Sequence, residues 1–365
     1  MRLLSPLLKH VVYPCAANVG YLQHCAKSGR LAIVAYHGVR PTGYEIKDPD
    51  LDGSLIDVDS LRRQLRLLKA AYKVVAPQDV RLWCERKQEL PPQSVLLTCD
   101  DGLLNNLTDM APILLEEGLA CLFFVTGASL QEMPSMIWYD ELYLMILAAA
   151  EFPFTLTSKS LGLRVCFYNR GQRRSVWWDL VKKLSQFDGE TRISFLQSAR
   201  VQLGLTEDWR SIYHQDPILR RRFMMLTSQE LRQLKESGMS IGAHTHSHPM
   251  LSHMPVDLAR KEVAEHKRQL EQVIGDEVWA LAYPFGDPES VTPRELSMSE
   301  RAGYKGAFTN FGGGFGSELP LFALPRIHVT SDMSLAEFEA NVSGFRRELR
   351  RRFLGEDVPA LATQS

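Results

Sequence analysis

The chain has 365 residues, 45% of them apolar and 23% charged, enough to bury one full core with room for an insertion. Its formal net charge of -1 provides no field that would attract nucleic acid, so no nucleic-acid partner is expected. The six cysteines (Cys15, Cys25, Cys84, Cys99, Cys121 and Cys166) form no CxxC pair, and several sit in apolar runs. They read as reduced, buried thiols and not as a disulfide framework.

Met1 to Gln23 is broken by Lys9 and Pro14, and its apolar runs are too short for a signal peptide or a spanning helix. No other segment reaches spanning length. A cytoplasmic protein is the expectation, with contact between an amphipathic start and a membrane surface left open. Oligomeric state is not readable.

Leu31 to Tyr36 is a continuous apolar run and reads as a buried strand. Val58, Leu61, Leu65, Leu68 and Tyr72 follow at steps of three and four, which makes one helix face apolar. Val95 to Thr98 is a second strand, followed by a helix that stops at Gly118, and Leu122 to Val125 is a third. From Gln131 to Leu226 the alternation lapses into mostly helical patterning that holds Trp138, Trp177, Trp178 and Trp209. It resumes at Thr227-Ser-Gln-Glu230, a capping box opening a helix that ends at Gly238. A strand over Met239 to Ala243, a long helix over about 256–274, and strands at Val278–Ala282, Gly306–Thr309 and Phe322–Val329 complete the pattern. A last helix begins after Ser334.

Strands that alternate with helices pair in parallel, because parallel neighbours need crossover connections. Every polar cluster follows a strand, and barrels gather those ends on one face, so an irregular (β/α) barrel is favoured over an open sheet. The expected division is an N-terminal extension (1–30), a barrel built from 31–130 and 227–355, a helical insertion (131–226), and a tail (356–365).

Two clusters carry chemistry. Thr98-Cys-Asp-Asp-Gly102 puts adjacent carboxylates directly after a strand. Such acids repel, and alone they would read as a solvated turn. His244-Thr-His-Ser-His248 ends another strand, and His244 and His248 are spaced to meet one metal in a helix or tight turn. Two histidines and a carboxylate with open positions form a ligand set for a divalent cation, most plausibly Zn2+. His246 and His253 read as polar surface.

The two motifs resemble those of the polysaccharide deacetylase family. Thr-Cys-Asp-Asp-Gly is similar to its first motif, with Cys99 where phenylalanine is usual, and Ile241 to Leu251 resembles its second motif throughout. The resemblance runs from about Leu31 to Val329 and implies a barrel of about seven parallel strands. It implies Asp100 as general base and Asp101, His244 and His248 as metal ligands. The general acid is His37 or His328, each of which follows a strand. Tyr36-His-Gly-Val39 resembles the poly-N-acetylglucosamine deacetylase subgroup, which favours His37, expected to face the metal opposite Asp100.

The third motif departs from the family. Leu281-Ala-Tyr-Pro-Phe-Gly286 lacks the usual arginine, for which Arg326 could substitute. Tyr283, Pro284, Phe285 and Arg326 are the expected substrate contacts. The five arginines of Arg346–Arg352 read as a solvated helix face, with an anionic membrane or lipid-phosphate carrier as the rarer alternative.

The implied function is hydrolysis of N-acetyl groups on sugars of a polysaccharide or glycan intermediate. One rival is a same-fold amidohydrolase for a non-sugar amide or cyclic imide. Another is an inactive glycan-binding barrel, which would have no need of both carboxylates.

Overall fold

The computed structural model describes residues 4–25, 31–149, 151–311 and 320–354. The expected tail, 356–365, lies outside them.

The described residues form eleven strands: β1 (Ala32–Tyr36), β2 (Lys73–Val74), β3 (Ser94–Cys99), β4 (Leu122–Val125), β5 (Phe154–Ser158), β6 (Leu163–Phe167), β7 (Ser240–Ala243), β8 (Ala280–Ala282), β9 (Gly306–Thr309), β10 (Leu324–Pro325) and β11 (Ile327–His328). The parallel ladder runs β10-β9-β8-β7-β4-β3-β1-β11, with β2 paired to β3. Strands β10 and β11 are two pieces of one segment, separated by Arg326. Leu324 and Pro325 pair with β9, whereas Ile327 and His328 pair with β1. That segment therefore nearly closes the sheet, and eight strands occupy seven positions around an irregular barrel.

Period-two alternation sorts the side chains into two layers. Ile33, Leu96, Leu122, Phe124, Ala282, Phe308 and Leu324 fill the barrel interior. Val34, Leu97, Phe123, Val125 and Ile241 face outward against the helices. Helix Val58–Ala71 covers them with Leu61, Leu65 and Leu68, and starts where the Asp57 side chain accepts from the Ser60 amide. Helix Ser228–Glu236 opens on the capping box of Thr227 and Glu230. Helix Val256–Ile274 buries Ala259, Val263 and Leu270, and ends at Gly275 in the left-handed conformation. Gly242 matters for packing: a Cβ there would stand 2.6 Å from the Phe124 ring, which occupies the barrel interior.

Between β4 and β7 the chain leaves the barrel. Helices Trp138–Ala148, Arg173–Leu184 and Gly189–Gln202 pack around Leu142, Ile146, Leu156, Phe167, Leu180 and Phe195, and helix Pro217–Phe223 packs through Phe223 against Tyr143, Leu144 and Tyr213. The antiparallel hairpin β5–β6 lies within this segment. The helical reading of 131–226 did not anticipate it; Leu156 and Phe167 are buried, and Phe154, Leu163 and Val165 pack partly buried against the same cluster.

All six cysteines are free, with Cys84, Cys99 and Cys121 buried. None of the described helices is long and apolar enough to cross a membrane. In helix Phe345–Leu354, Arg346 pairs with Glu337, and Arg351 and Arg352 pair with Glu348.

Candidate functional site

The inward alternation of three neighbouring strands delivers the site. Ile33 leads through Ala35 to His37, Leu96 through Thr98 to Asp100, and Leu324 through Arg326 to His328. Tyr36 is paired with Cys99, so His37 and Asp100 leave their strands side by side. Ala35 is paired with His328, which brings Arg326 and His328 to the same corner.

Asp100 is fully buried. Arg326 forks onto it, with both terminal guanidinium nitrogens donating to its two oxygens at 2.6 Å each. Arg326 is itself fully buried, also donates to Thr98 Oγ1 and the Thr309 carbonyl, and lies over the Phe124 ring. Burial alone would raise the Asp100 pKa. The charges of Arg326 and His244, together with the Arg326 hydrogen bonds, outweigh it and hold the carboxyl below its usual value. Thus Asp100 is kept ionised and oriented.

Asp101 turns the other way, at φ 77°. Its Oδ1 lies 3.6 Å from His244 Nε2 and 3.4 Å from His248 Nε2 and has no hydrogen-bond partner despite its burial. One ligand atom from each of these three buried residues falls within 4.8 Å of the others. His244 Nδ1 donates to the Ala282 carbonyl at 2.8 Å, which leaves the Nε2 lone pair directed at the cluster. An orphaned carboxylate oxygen and two imidazole nitrogens fit a divalent cation such as zinc. His244 and His248 meet through a tight turn and not a helix. Strain accompanies this arrangement: of the six described non-glycine residues with positive φ, Asp101, Thr245, His248 and Phe285 belong to or adjoin the site.

His37 and His328 both reach the same cavity, their rings 4.8 Å apart. His37 Nε2 lies 4.0 Å from Asp100 Oδ2. It therefore stands beside Asp100 and not opposite, because β1 and β3 are hydrogen-bonded neighbours in register. His328 keeps an exposed edge. Packing around the rest of its ring, and then the nearby His37, push its pKa down, so the neutral form is favoured.

The cavity measures about 280 Å³, near the lower end for small-molecule sites. Among the expected substrate contacts, Phe285 lines it. Tyr283 does not: its hydroxyl bonds Ser299 and the Phe322 carbonyl within the core. Pro284 is buried off the wall, and Arg326 lies beneath Asp100. Alternation explains these placements, since Tyr283 faces the helical layer. The wall also includes Tyr139, Asp140, Trp177, Trp178 and Asn310, which were not anticipated individually. The tryptophan cluster was the available signal. Burial pushes the Asp140 carboxyl up to about 7 despite Arg222 beside it.

Residues 205–307 match the family model described as polysaccharide deacetylase. YxkH of Bacillus subtilis (strain 168), assigned by name to the polysaccharide deacetylases, is 25% identical over 121 residues, which cover 33% of this chain and 42% of that protein. The matched part thus spans less than half of that relative. Two solved structures share the fold over most of their length. Streptococcus pyogenes deacetylase PplD in complex with acetate aligns with TM-score 0.52 at 17% identity, over 86% of this chain and 98% of that one. IcaB from Ammonifex degensii aligns with TM-score 0.53 at 17% identity, over 87% and 98%. The second motif lies within the family match, and the barrel is shared with the solved structures.

Proposed function

We propose that this chain, whose barrel and second motif are those of the polysaccharide deacetylases, is a divalent-metal hydrolase that removes N-acetyl groups from sugars of a glycan, with zinc as its metal. The observation that carries the reading is the convergence of Asp101, His244 and His248 next to an ionised Asp100 that takes no part in the ligand set. We take 131–226 as an insertion in the deacetylase barrel, and the substrate as an exopolysaccharide or related glycan in synthesis or tailoring.

An amide is a poor electrophile, and a bound divalent cation supplies polarisation of the acetyl carbonyl and acidifies water nearby. Every other task falls to side chains of this chain. Asp100, held by Arg326 and lacking a hydrogen of its own, takes the proton from the attacking water. Thr98 and the Thr309 carbonyl position Arg326, which in turn fixes the direction of the Asp100 lone pairs. The departing amine needs a proton at nitrogen, and His37 is our choice of donor. It stands next to Asp100 in the cavity, whereas His328 is biased towards its neutral form. The rings of Tyr139 and Phe285 flank His248, at 5.0 and 4.9 Å between centroids, and limit water around the ligands.

The test is acetate release from a panel of N-acetylated glycans before and after chelation, with zinc added back. Release that falls with chelator and returns with zinc supports the reading. Release indifferent to chelator, or none from any glycan, contradicts it.

A further inference from the structure

The two histidines of the metal cluster are not held alike. His244 Nδ1 donates to the Ala282 carbonyl, so its ring is anchored at the nitrogen that faces away from the cluster. Among the described residues none accepts from the buried His248 Nδ1. The direction of His248 therefore rests on its backbone, at φ 52°, and on the rings of Tyr139 and Phe285 beside it. A non-glycine residue stays in that region only where its surroundings impose it.

Those surroundings come from two directions. Helix Val256–Ile274 holds the middle of the turn. The Glu262 carbonyl accepts from the His246 amide at 3.2 Å, and the Glu262 carboxylate accepts from the Ser247 amide at 2.7 Å and from the Ser247 hydroxyl. The segment between β4 and β7 holds the end of the turn. Trp138 Nε1 donates to the His248 carbonyl at 3.2 Å. Arg192 forks onto Ser247, one nitrogen donating to its carbonyl at 3.0 Å and the other to its hydroxyl oxygen. The peptide units on both sides of the His248 Cα are thus tied to that segment. Trp138 and Arg192 are buried, and the guanidinium lies over the indole at 5.0 Å, so the two donors brace each other.

Any packed segment must satisfy the buried carbonyls it covers. These two bonds differ in where they fall, on the two peptides that flank a metal ligand with no anchor on its own ring. We infer that Trp138 and Arg192 are positioning residues for His248, which makes the segment between β4 and β7 part of the metal site. This deepens the deacetylase reading and rests on its ligand assignment. Zinc affinity then depends on two side chains outside the ligand set.

The experiment measures zinc affinity of the folded full-length protein by competition with a chelating dye, and the visible spectrum with cobalt as the added metal. Trp138→Phe keeps a ring beneath Arg192 and removes the N–H. Arg192→Lys keeps the charge and removes the fork. Each should weaken zinc binding about 10–100-fold and alter the cobalt bands. Trp209→Phe is the control, because it removes the same group in the same segment from a nitrogen that bonds none of the described residues. Its zinc affinity should equal that of wild type. Zinc affinity and cobalt spectrum unchanged in Trp138→Phe would overturn the inference, even if denaturation shows lower stability, since that outcome marks a purely structural anchor. An equal loss in Trp209→Phe would overturn it too, by showing general loosening of the segment. If Arg192→Lys does not fold, Trp138→Phe decides alone. Wild type that binds zinc yet releases no acetate from any glycan fails the hydrolase reading separately, and the affinity comparison still decides this one. Wild type that binds neither metal overturns both.

Discussion

Arg326 donates to both oxygens of Asp100 across 226 positions of sequence, and neither side chain touches solvent. The pair exists because the split segment β10–β11 closes the barrel beside β1 and β3. Removing one partner of a buried pair leaves an uncompensated charge, typically at a cost of about 3–5 kcal/mol. Arg326→Ala should therefore destabilise the fold on that scale, and Arg326→Lys should lose the fork while keeping the charge. Chemical denaturation measures the first effect. A change within about 0.5 kcal/mol, as at an ordinary surface site, would show that the pair does not hold the structure.

The metal assignment makes a separate prediction. Purified protein should carry about one equivalent of divalent metal, and His244→Ala should lose it, since that change removes a nitrogen already oriented by the Ala282 carbonyl. His246→Ala should leave metal content unchanged, because His246 is exposed and outside the cluster. Elemental analysis of the two variants side by side checks both. Full occupancy in His244→Ala would exclude it as a ligand.

How much of this was legible follows from where each signal resides. The paired acids and the His-Thr-His-Ser-His run could be read directly, because each follows an apolar strand whose run of residues marks it. The barrel followed from the alternation of strand and helix. Arg326 was expected both as a substrate contact, which its burial beneath Asp100 excludes, and as a stand-in for the third-motif arginine, which agrees with its fork onto Asp100; the geometry of that fork depends on the register by which the last segment closes against β1. Tyr283 was expected on the substrate side, yet alternation turns it into the helical layer, where Ser299 and the Phe322 carbonyl satisfy its hydroxyl. The hairpin β5–β6 was missed although Phe154 and Leu156, and Leu163, Val165 and Phe167, recur at period two; each strand is only five residues long and lies among helical patterning. The aromatic wall was visible only as a surplus of tryptophan, without the contacts that aim it.

His266 sets a pH dependence of stability. It is buried in helix Val256–Ile274, where its Nε2 donates to the Val125 carbonyl at 2.9 Å, and burial pushes its pKa down to about 3. The unfolded chain takes up that proton near pH 6.5 while the folded chain does not, so this contribution is complete above about 6.5 and is lost as pH falls from there towards about 3. Each unit in that window costs up to about 1.4 kcal/mol. Wild type should lose about 2 kcal/mol more than His266→Gln between pH 7.5 and 5, measured by denaturant midpoints. Parallel pH profiles for the two proteins would show that His266 is not kept neutral.

Between the two cavity histidines, His37→Ala should lower kcat further than His328→Ala, with metal content unchanged in both. The difference rests on His37 being the neighbour of Asp100, at 4.0 Å, and on the bias of His328 towards its neutral form. Steady-state kinetics on one N-acetyl sugar substrate separates them. The reverse order of effects would assign the proton donor to His328.

If Asp100 is the base and not a metal ligand, Asp100→Asn separates the two roles when metal content and acetate release are measured on the same preparation. The substitution keeps the shape of the side chain and leaves Asp101, His244 and His248 untouched. Full metal occupancy is expected, with turnover reduced about 10²–10⁴-fold, the range typical for loss of a general base. Turnover close to wild type, or loss of the metal together with the activity, would contradict it.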